Sequence, residues 1–72
     1  MIEKITLRAA RANIGLTQKQ AAELLGISNK TLGNWENGTS FPSPAHIDLI
    51  CDLYGISYDD ISFRPPIRLK RI

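Results

Sequence analysis

The segment from Gly26 to Gly38, GISNKTLGNWENG, carries the side chains best suited to chemistry on a partner. It places short polar residues between its apolar ones, and these are Ser28, Asn29, Lys30, Thr31 and Asn34. A surface helix usually carries more Glu, Lys and Arg, which form helices more readily than Asn and Thr. Amide and hydroxyl groups both donate and accept hydrogen bonds. The segment therefore favours recognition of a partner with hydrogen-bonding edges.

No catalytic or metal-binding group is indicated elsewhere in the sequence. Asp59 and Asp60 are adjacent in the first turn of an expected helix, where they favour the helix dipole but do not converge on one site. His46 has no metal-ligand partner nearby in sequence and is expected on a helix surface. Cys51 falls in an apolar stripe and is expected to be a small core residue. We therefore expect a protein that is not an enzyme, with no cofactor, no metal and no small-molecule ligand.

The totals predict one small domain. The chain has 72 residues, and 43% of them are hydrophobic, which is enough for a small core. Its single cysteine cannot form an internal disulfide. No apolar run approaches the ~20 residues needed to cross a membrane, and the apolar residues of the first ten are spaced, unlike those of a signal peptide. These features predict a cytoplasmic protein with no membrane partner.

The net charge of +2 conceals an uneven distribution. Residues 1–38 carry five basic and three acidic side chains, residues 39–63 carry four acidic and no basic ones, and residues 64–72 carry four basic and no acidic ones. We expect a domain over 1–63 and a basic C-terminal tail over 64–72. That tail is either an arm for an anionic partner or a solvated disordered end. Its alternating residues from Ile67 to Lys70 hint weakly at an edge strand.

Regularly spaced glycines and N-cap residues predict five short helices. The expected helices are 6–14, a second from Thr17 to before Gly26, a third from Ser28 to Asn37, a fourth from Ser43 to Tyr54, and a short fifth that opens at Ser57 and carries Ile61. Thr17 and Gln20 form a capping box, and Pro44 follows Ser43 at the first helical position. No strand signal is strong.

The second and third helices are joined by only three residues, 25–27, which forces a steep crossing. Ala22 supplies a small side chain where they touch, and Gly26 tolerates a positive φ. Counted from Gln18, Ala is fifth, Gly ninth, and Leu32 and Trp35 are fifteenth and eighteenth. With GLTQKQAAELLGIS, WENG and GISYDDI, this pattern resembles the helix-turn-helix of the Xre/Cro group of phage and bacterial repressors. The resemblance covers about residues 6–63.

The resemblance implies an all-α fold, a compact lambda-repressor-like bundle of five short helices with the helix-turn-helix formed by helices 2 and 3. By matching position, the third helix would contact bases in the major groove through Asn29, Lys30, Thr31 and Asn34. Phosphate contacts would come from Gln18, Lys19, Ser28, Asn37 and Thr39. Arg11 and Glu36 match a partly buried structural ion pair that joins the first and third helices.

Some residues depart from the family pattern. Gly33 lies in the middle of the third helix, where relatives usually carry a polar side chain, and costs about 1 kcal/mol of helix stability relative to alanine. Phe41 replaces a frequent Lys or Arg. The candidate protein interface consists of the apolar residues Leu24, Phe41, Leu49, Leu53 and Phe63. Alternatively, some of these residues are tucked under the tail.

Two functions follow from the resemblance. The first is a sequence-specific transcriptional regulator, a small Cro/Xre-type repressor of a phage or prophage switch. It would bind double-stranded operator DNA as a homodimer in the bacterial cytosol or nucleoid. The alternative is a protein-binding antirepressor, modulator or antitoxin, whose helix-turn-helix domain engages another regulator protein.

Overall fold

The computed structural model describes residues 4–63. This part of the chain holds four α-helices, a single 3-10 turn and two very short strands. In order they are β1 (Ile5–Thr6), α1 (Leu7–Asn13), α2 (Gln18–Leu25), α3 (Asn29–Asn37), α4 (Pro44–Tyr54), the 3-10 turn (Tyr58–Asp60) and β2 (Ile61–Ser62). The expected tail over 64–72 and its edge strand lie outside the described residues.

Each of the four α-helices begins one residue after the residue that was predicted to start or cap it. Thr6, Thr17, Ser28 and Ser43 each accept a hydrogen bond from a backbone N–H of the first turn. In the capping box of α2, Gln20 N–H donates to Thr17 Oγ1 at 3.1 Å and Thr17 N–H donates to Gln20 Oε1 at 2.9 Å. These bonds satisfy N–H groups that no helical carbonyl can reach.

The core lies between the helices and is built from short side chains near the helix-turn-helix. The buried apolar residues are Leu7, Ala10, Ala21, Ala22, Leu25, Leu32, Trp35, Ile50, Tyr54 and Ile61. Every α-helix contributes to this cluster. Ala21 and Ala22 are almost fully buried, which agrees with the expected small residue in α2, and α2 packs closely on α3.

The expected fifth helix is replaced by a 3-10 turn and a strand. Ser57 caps the turn by accepting from Asp59 N–H at 3.3 Å, but Ile61 is extended, with φ −115° and ψ 141°. β2 pairs in parallel with β1, with Ile5 opposite Ile61 and Thr6 opposite Ser62. Two-residue strands carry no readable alternation, so the sequence pattern gave no sign of this pairing.

The longest described helix is α4, with 11 residues. In the described part of the chain, no helix has both the length and the apolar character required to span a bilayer.

Candidate nucleic-acid interface

The turn between α2 and α3 sets the position of the candidate interface. Gly26 ends α2 in the left-handed conformation, with φ +73°, and Ile27 N–H donates to Ala22 O at 3.0 Å. A residue with a Cβ is strained at such a φ, which explains the glycine. The chain can therefore reverse within three residues and start α3 at Asn29, after its cap Ser28.

The outer side of α3 is polar, and its inner side is apolar apart from the buried Glu36. Leu32 and Trp35 are buried in the core. Of the four predicted base contacts, Asn29 and Lys30 are exposed, and Thr31 and Asn34 are half-buried. Lys30 and Asn34 are four residues apart and therefore neighbours on one helix face. The structure thus leaves all four side chains at least partly accessible on one short helix.

The candidate phosphate contacts surround this face. Lys19, Ser28, Asn37 and Thr39 are exposed, whereas Gln18 is half-buried. The backbone N–H of Thr39 donates to Asn34 O at 2.9 Å, so the loop after α3 folds back onto the end of that helix. The Ser28 hydroxyl accepts from Thr31 N–H at 3.0 Å and donates to Thr31 Oγ1 at 2.8 Å. In the free protein, both hydroxyls are therefore engaged within the cap of α3.

An ion pair joins α1 to α3 behind this face. Arg11 Nε lies 2.7 Å from Glu36 Oε2, and a second guanidinium nitrogen donates to Oε1 at 3.2 Å. The third donates to Leu16 O at 2.9 Å. The Glu36 side chain is fully buried. The hydrogen bond to Glu36 raises the pKa of Arg11, although burial acts in the opposite direction.

Gln18 joins the same carboxylate, which the sequence did not reveal. Its Nε2 donates to Glu36 Oε1 at 3.1 Å, so residues of α1 and α2 both bond to one side chain of α3. The two residues are 18 positions apart, and only the tertiary fold brings them together. Arg8 approaches Glu36 at 3.6 Å, but its side chain is 65% exposed, so this pair contributes little.

The hydroxyl of Tyr54 is a buried polar group near the charges of Glu36 and Arg11. Its oxygen is buried and has no hydrogen-bond partner among residues 4–63. Burial, and secondly the negative charge of Glu36, raise the pKa of Tyr54 to about 12. The apolar stripe of α4 predicted that Tyr54 is buried, but no sequence signal indicated that its hydroxyl lacks a partner.

The five residues of the candidate protein interface fall into two groups. Leu24, Phe41 and Leu49 are 63%, 59% and 49% exposed. Leu53 and Phe63 are half-buried against the core. The alternative that the tail covers some of these residues involves 64–72, which lie outside the described residues.

An apolar groove of about 370 Å³ adjoins Phe41. Its lining includes Lys4, Phe41, Ile47, Tyr58 and Phe63. Tyr58 is 59% exposed, and its ring lies 6.0 Å from that of Phe63. Phe41 and Tyr58 therefore expose aromatic surface in the lining of the groove.

His46 and Cys51 have structural surroundings. The His46 ring lies 5.3 Å from that of Trp35 and forms a 3.0 Å hydrogen bond with Ser43 Oγ. His46 is thus half-buried against the core rather than a free surface residue. Cys51 is half-buried beside the core, and burial raises the pKa of its thiol. Among the residues described, no group of three or more His, Cys, Asp or Glu could hold a metal ion.

A family model described as helix-turn-helix matches residues 7–61. The chain belongs to the Xre/Cro-like helix-turn-helix family. This membership confirms the resemblance inferred from the sequence. The match extends from α1 into β2 and so includes α2 and α3.

Three curated relatives illustrate the membership. The antitoxin PezA of Streptococcus pneumoniae is 42% identical over 55 residues, which are 76% of this chain and 35% of that protein. The transcriptional regulator ImmR of Bacillus subtilis is 40% identical over 53 residues, 74% of this chain and 42% of ImmR. YazB of Bacillus subtilis, an uncharacterised regulator of the helix-turn-helix type, is 42% identical over 60 residues, 83% of this chain and 84% of YazB. The chain thus spans well under half of PezA and ImmR.

Proposed function

We propose that the chain is a sequence-specific DNA-binding transcriptional regulator in which α3 enters the major groove. The carrying observation is the two-sided character of α3. Its inner side is fixed in the core through Leu32 and Trp35, while its outer side presents accessible Lys30 and Asn34. The buried bonds of Glu36 to Arg11 and Gln18 hold α3 against both preceding helices. A rigid helix with a polar outer face is what base recognition requires.

The side chains on that face match base edges by their chemistry. The amides of Asn29 and Asn34 can pair with the N6 and N7 groups of adenine, and Lys30 can donate to the guanine acceptors O6 and N7. Thr31 directs its hydroxyl to Ser28, which leaves its methyl group for the methyl of thymine. These four residues are the proposed base contacts.

The proposed phosphate contacts are Gln18, Lys19, Ser28, Asn37 and Thr39. Gln18 and Ser28 lie at the N-terminal ends of α2 and α3, where free N–H groups and the helix dipole attract anions. Because Arg11 is tied to Glu36, Lys19, Lys30 and the mostly exposed Arg8 remain as the cations of this surface among the described residues. Nonspecific affinity comes largely from phosphate neutralisation, so three cations are few for one domain.

A homodimer would present more cations to the DNA. Two copies double the cations and read the two halves of a symmetric operator. The groove beside Phe41 is the proposed contact with the second copy. Lys4 lines it, and the exposed Asp59 and Asp60 directly follow Tyr58, another lining residue. A two-fold axis through the groove can therefore bring opposite charges of the two copies together.

In this proposal, the dimer acts as a small repressor of a phage or prophage switch in the bacterial cytosol. It occupies a promoter and performs no chemistry. The name of ImmR, a transcriptional regulator, supports the regulatory part.

A second candidate function is binding of another regulator, as an antirepressor, modulator or antitoxin. The exposed Leu24, Phe41 and Leu49 favour it, since exposed apolar residues mark interaction surfaces when they form a patch. PezA, which carries the name antitoxin, gives further support. Both candidates use the helix-turn-helix domain, but only recognition of DNA predicts a steep salt dependence.

The deciding experiment measures fluorescence anisotropy with duplexes from the DNA around the coding region of this protein, beside a scrambled duplex, across a salt series. The variant Lys30→Ala with Asn34→Ala removes two proposed base contacts. Asp52→Ala is the control, because Asp52 is an exposed charged residue that belongs neither to the proposed DNA contacts nor to the lining of the groove. We expect submicromolar binding of one duplex, lost in the double variant and largely kept in the control.

Weak binding that is equal on all duplexes and insensitive to the double variant would contradict the proposed regulator. Binding of a neighbouring regulator protein with no steep salt dependence would instead support the second candidate. That outcome is measured by titrating labelled protein with the purified partner.

A further inference from the structure

Gly33 leaves a gap on α3 that a side chain of α2 fills. Gly33 has no positive φ, so its backbone does not require glycine. A Cβ added there would lie 3.5 Å from Gln18 Oε1, 3.6 Å from Nε2 and 3.8 Å from Cδ. These distances place the terminal O and N atoms of the Gln18 amide in van der Waals contact with the position that a Cβ would take, so a side chain longer than alanine would meet the amide.

The amide of Gln18 also forms a hydrogen bond with Glu36. Its Nε2 donates to Glu36 Oε1 at 3.1 Å, and Glu36 is fully buried and bonded to Arg11. Because a carboxylate accepts only, the nitrogen of the amide must face Glu36. One N–H of the amide is thereby used and the second remains for another acceptor. Gln18 is thus held by a hydrogen bond to Glu36 in the free protein.

We propose that Gly33 is a positioning residue for DNA binding: it keeps the Gln18 amide ordered over α3, with its second N–H directed at a backbone phosphate. The proposal rests on the proposed function. A side chain ordered in advance loses less conformational entropy on binding. A side chain longer than alanine at position 33 would displace the amide and cancel this gain.

Three variants separate this role from helix stability. In Gly33→Ala the Cβ fits at ordinary contact distance, so Gln18 stays in place. Gly33→Met is also a good helix former, but its longer chain displaces the amide. Gln18→Ala removes the amide. The DNA-free measurement is the side-chain NH₂ resonance pair of Gln18 in NMR spectra. We expect it to keep its shift in Gly33→Ala and to move to the position of a solvated glutamine in Gly33→Met.

The DNA measurement is a double-mutant cycle. We expect Gly33→Met and Gln18→Ala each to weaken binding about tenfold, as loss of a hydrogen bond to a charged group does. The loss should be equal on operator and scrambled duplexes, because a phosphate contact carries no sequence information. The salt slope should be unchanged because no charge is removed. In the Gln18→Ala background, Gly33→Met should cost nothing further.

An unmoved Gln18 resonance in Gly33→Met would overturn the proposal. Additive losses in the cycle would overturn it as well, since they would show that Met acts on DNA directly. The NMR measurement needs no DNA, so it decides the contact between Gly33 and Gln18 even if the wild-type protein binds no duplex. That last outcome would overturn the proposed function and the phosphate step, but not the ordering of the amide.

Discussion

At the scale of single residues, Glu36 is a charged side chain buried in the core of the described residues. It is fully buried, and its charge is balanced by Arg11, with Gln18 as a second donor. A bidentate guanidinium–carboxylate pair is a strong contact. Removal of one residue of the pair is costly because the charge of the other is left buried without a partner.

We expect Arg11→Ala to reduce the free energy of unfolding by about 3–5 kcal/mol, because Glu36 would be stranded in the core. For a domain of this size each kcal/mol corresponds to roughly 4–8 °C in Tm. Thermal unfolding followed by circular dichroism measures the loss. Arg8→Ala is the control, because Arg8 is mostly exposed and 3.6 Å from the same carboxylate. Similar small losses in both variants would show that the Arg11 pair adds little.

The raised pKa of Tyr54 predicts that the protein loses stability at alkaline pH. Its pKa is about 12 in the folded protein, against about 10 in an unfolded chain. The unfolded state therefore loses the proton first, so stability is full below pH 10 and falls as the pH rises towards 12. The full loss corresponds to about 2–3 kcal/mol.

Urea unfolding at pH 8 and pH 11, followed by the fluorescence of Trp35, tests this expectation. Tyr54→Phe should unfold with a smaller loss between the two pH values than the wild-type protein. Tyr58→Phe removes a mostly exposed hydroxyl and should retain the wild-type loss. An equal loss in all three proteins would rule out Tyr54 as the source. At pH 8, Tyr54→Phe should be no less stable, because its hydroxyl has no partner in the described part of the chain.

At the scale of elements, the sequence predicted what depends on neighbours in the chain. The N-caps, the capping box and the turn at Gly26 all act within five residues, and the α-helices begin and end close to the expected positions. The bond from Gln18 to Glu36 and the pairing of Ile5 with Ile61 join residues far apart in sequence. Neither follows from a local pattern. The predicted fifth helix was wrong because the pairing with β1 holds Ile61 extended.

Gly33 lowers the stability of α3 relative to alanine, although the structure has room for a methyl group at this position. We expect Gly33→Ala to increase the free energy of unfolding by about 1 kcal/mol, because glycine has the greater entropy to lose in a helix. The added methyl group meets Gln18 at 3.5 Å, an ordinary contact. Gly26→Ala is the contrasting variant. Nothing lies within 4 Å of its added Cβ, but φ is +73°, so backbone strain alone should destabilise it. Urea unfolding measures both, and a destabilised Gly33→Ala would contradict the expectation.

At the scale of the whole molecule, the proposed DNA contacts and the groove use different residues. Lys19 and Lys30 lie on α2 and α3, and neither is among the residues that line the groove with Phe41 and Tyr58. One set of residues can therefore bind a polyanion while the other binds protein. This arrangement is compatible with both candidate functions, which differ in the partner and not in the fold.

The exposed groove beside Phe41 predicts that the protein forms a dimer. We expect Phe41→Ser to shift a dimer towards monomer in sedimentation velocity without loss of helix content, because Phe41 is 59% exposed. Leu24→Ser is the control, since Leu24 is also exposed but does not line the groove. Wild-type protein that sediments as a monomer up to millimolar concentration would rule out the proposed contact. DNA affinity should fall with the dimer, because the two half-sites are bound together.

The pairing of β1 with β2 has a consequence for folding of the chain during its synthesis. The ribosome delivers Ile5 first and Ile61 only after the four helices. Closing so long a loop is entropically costly and comes late. Ile61 is also a core residue, 2% exposed. We therefore expect nascent chains that expose residues up to 60 to be digested by a protease and those that expose residue 63 to resist it. Completion of the fold would thus coincide with the end of translation of the domain.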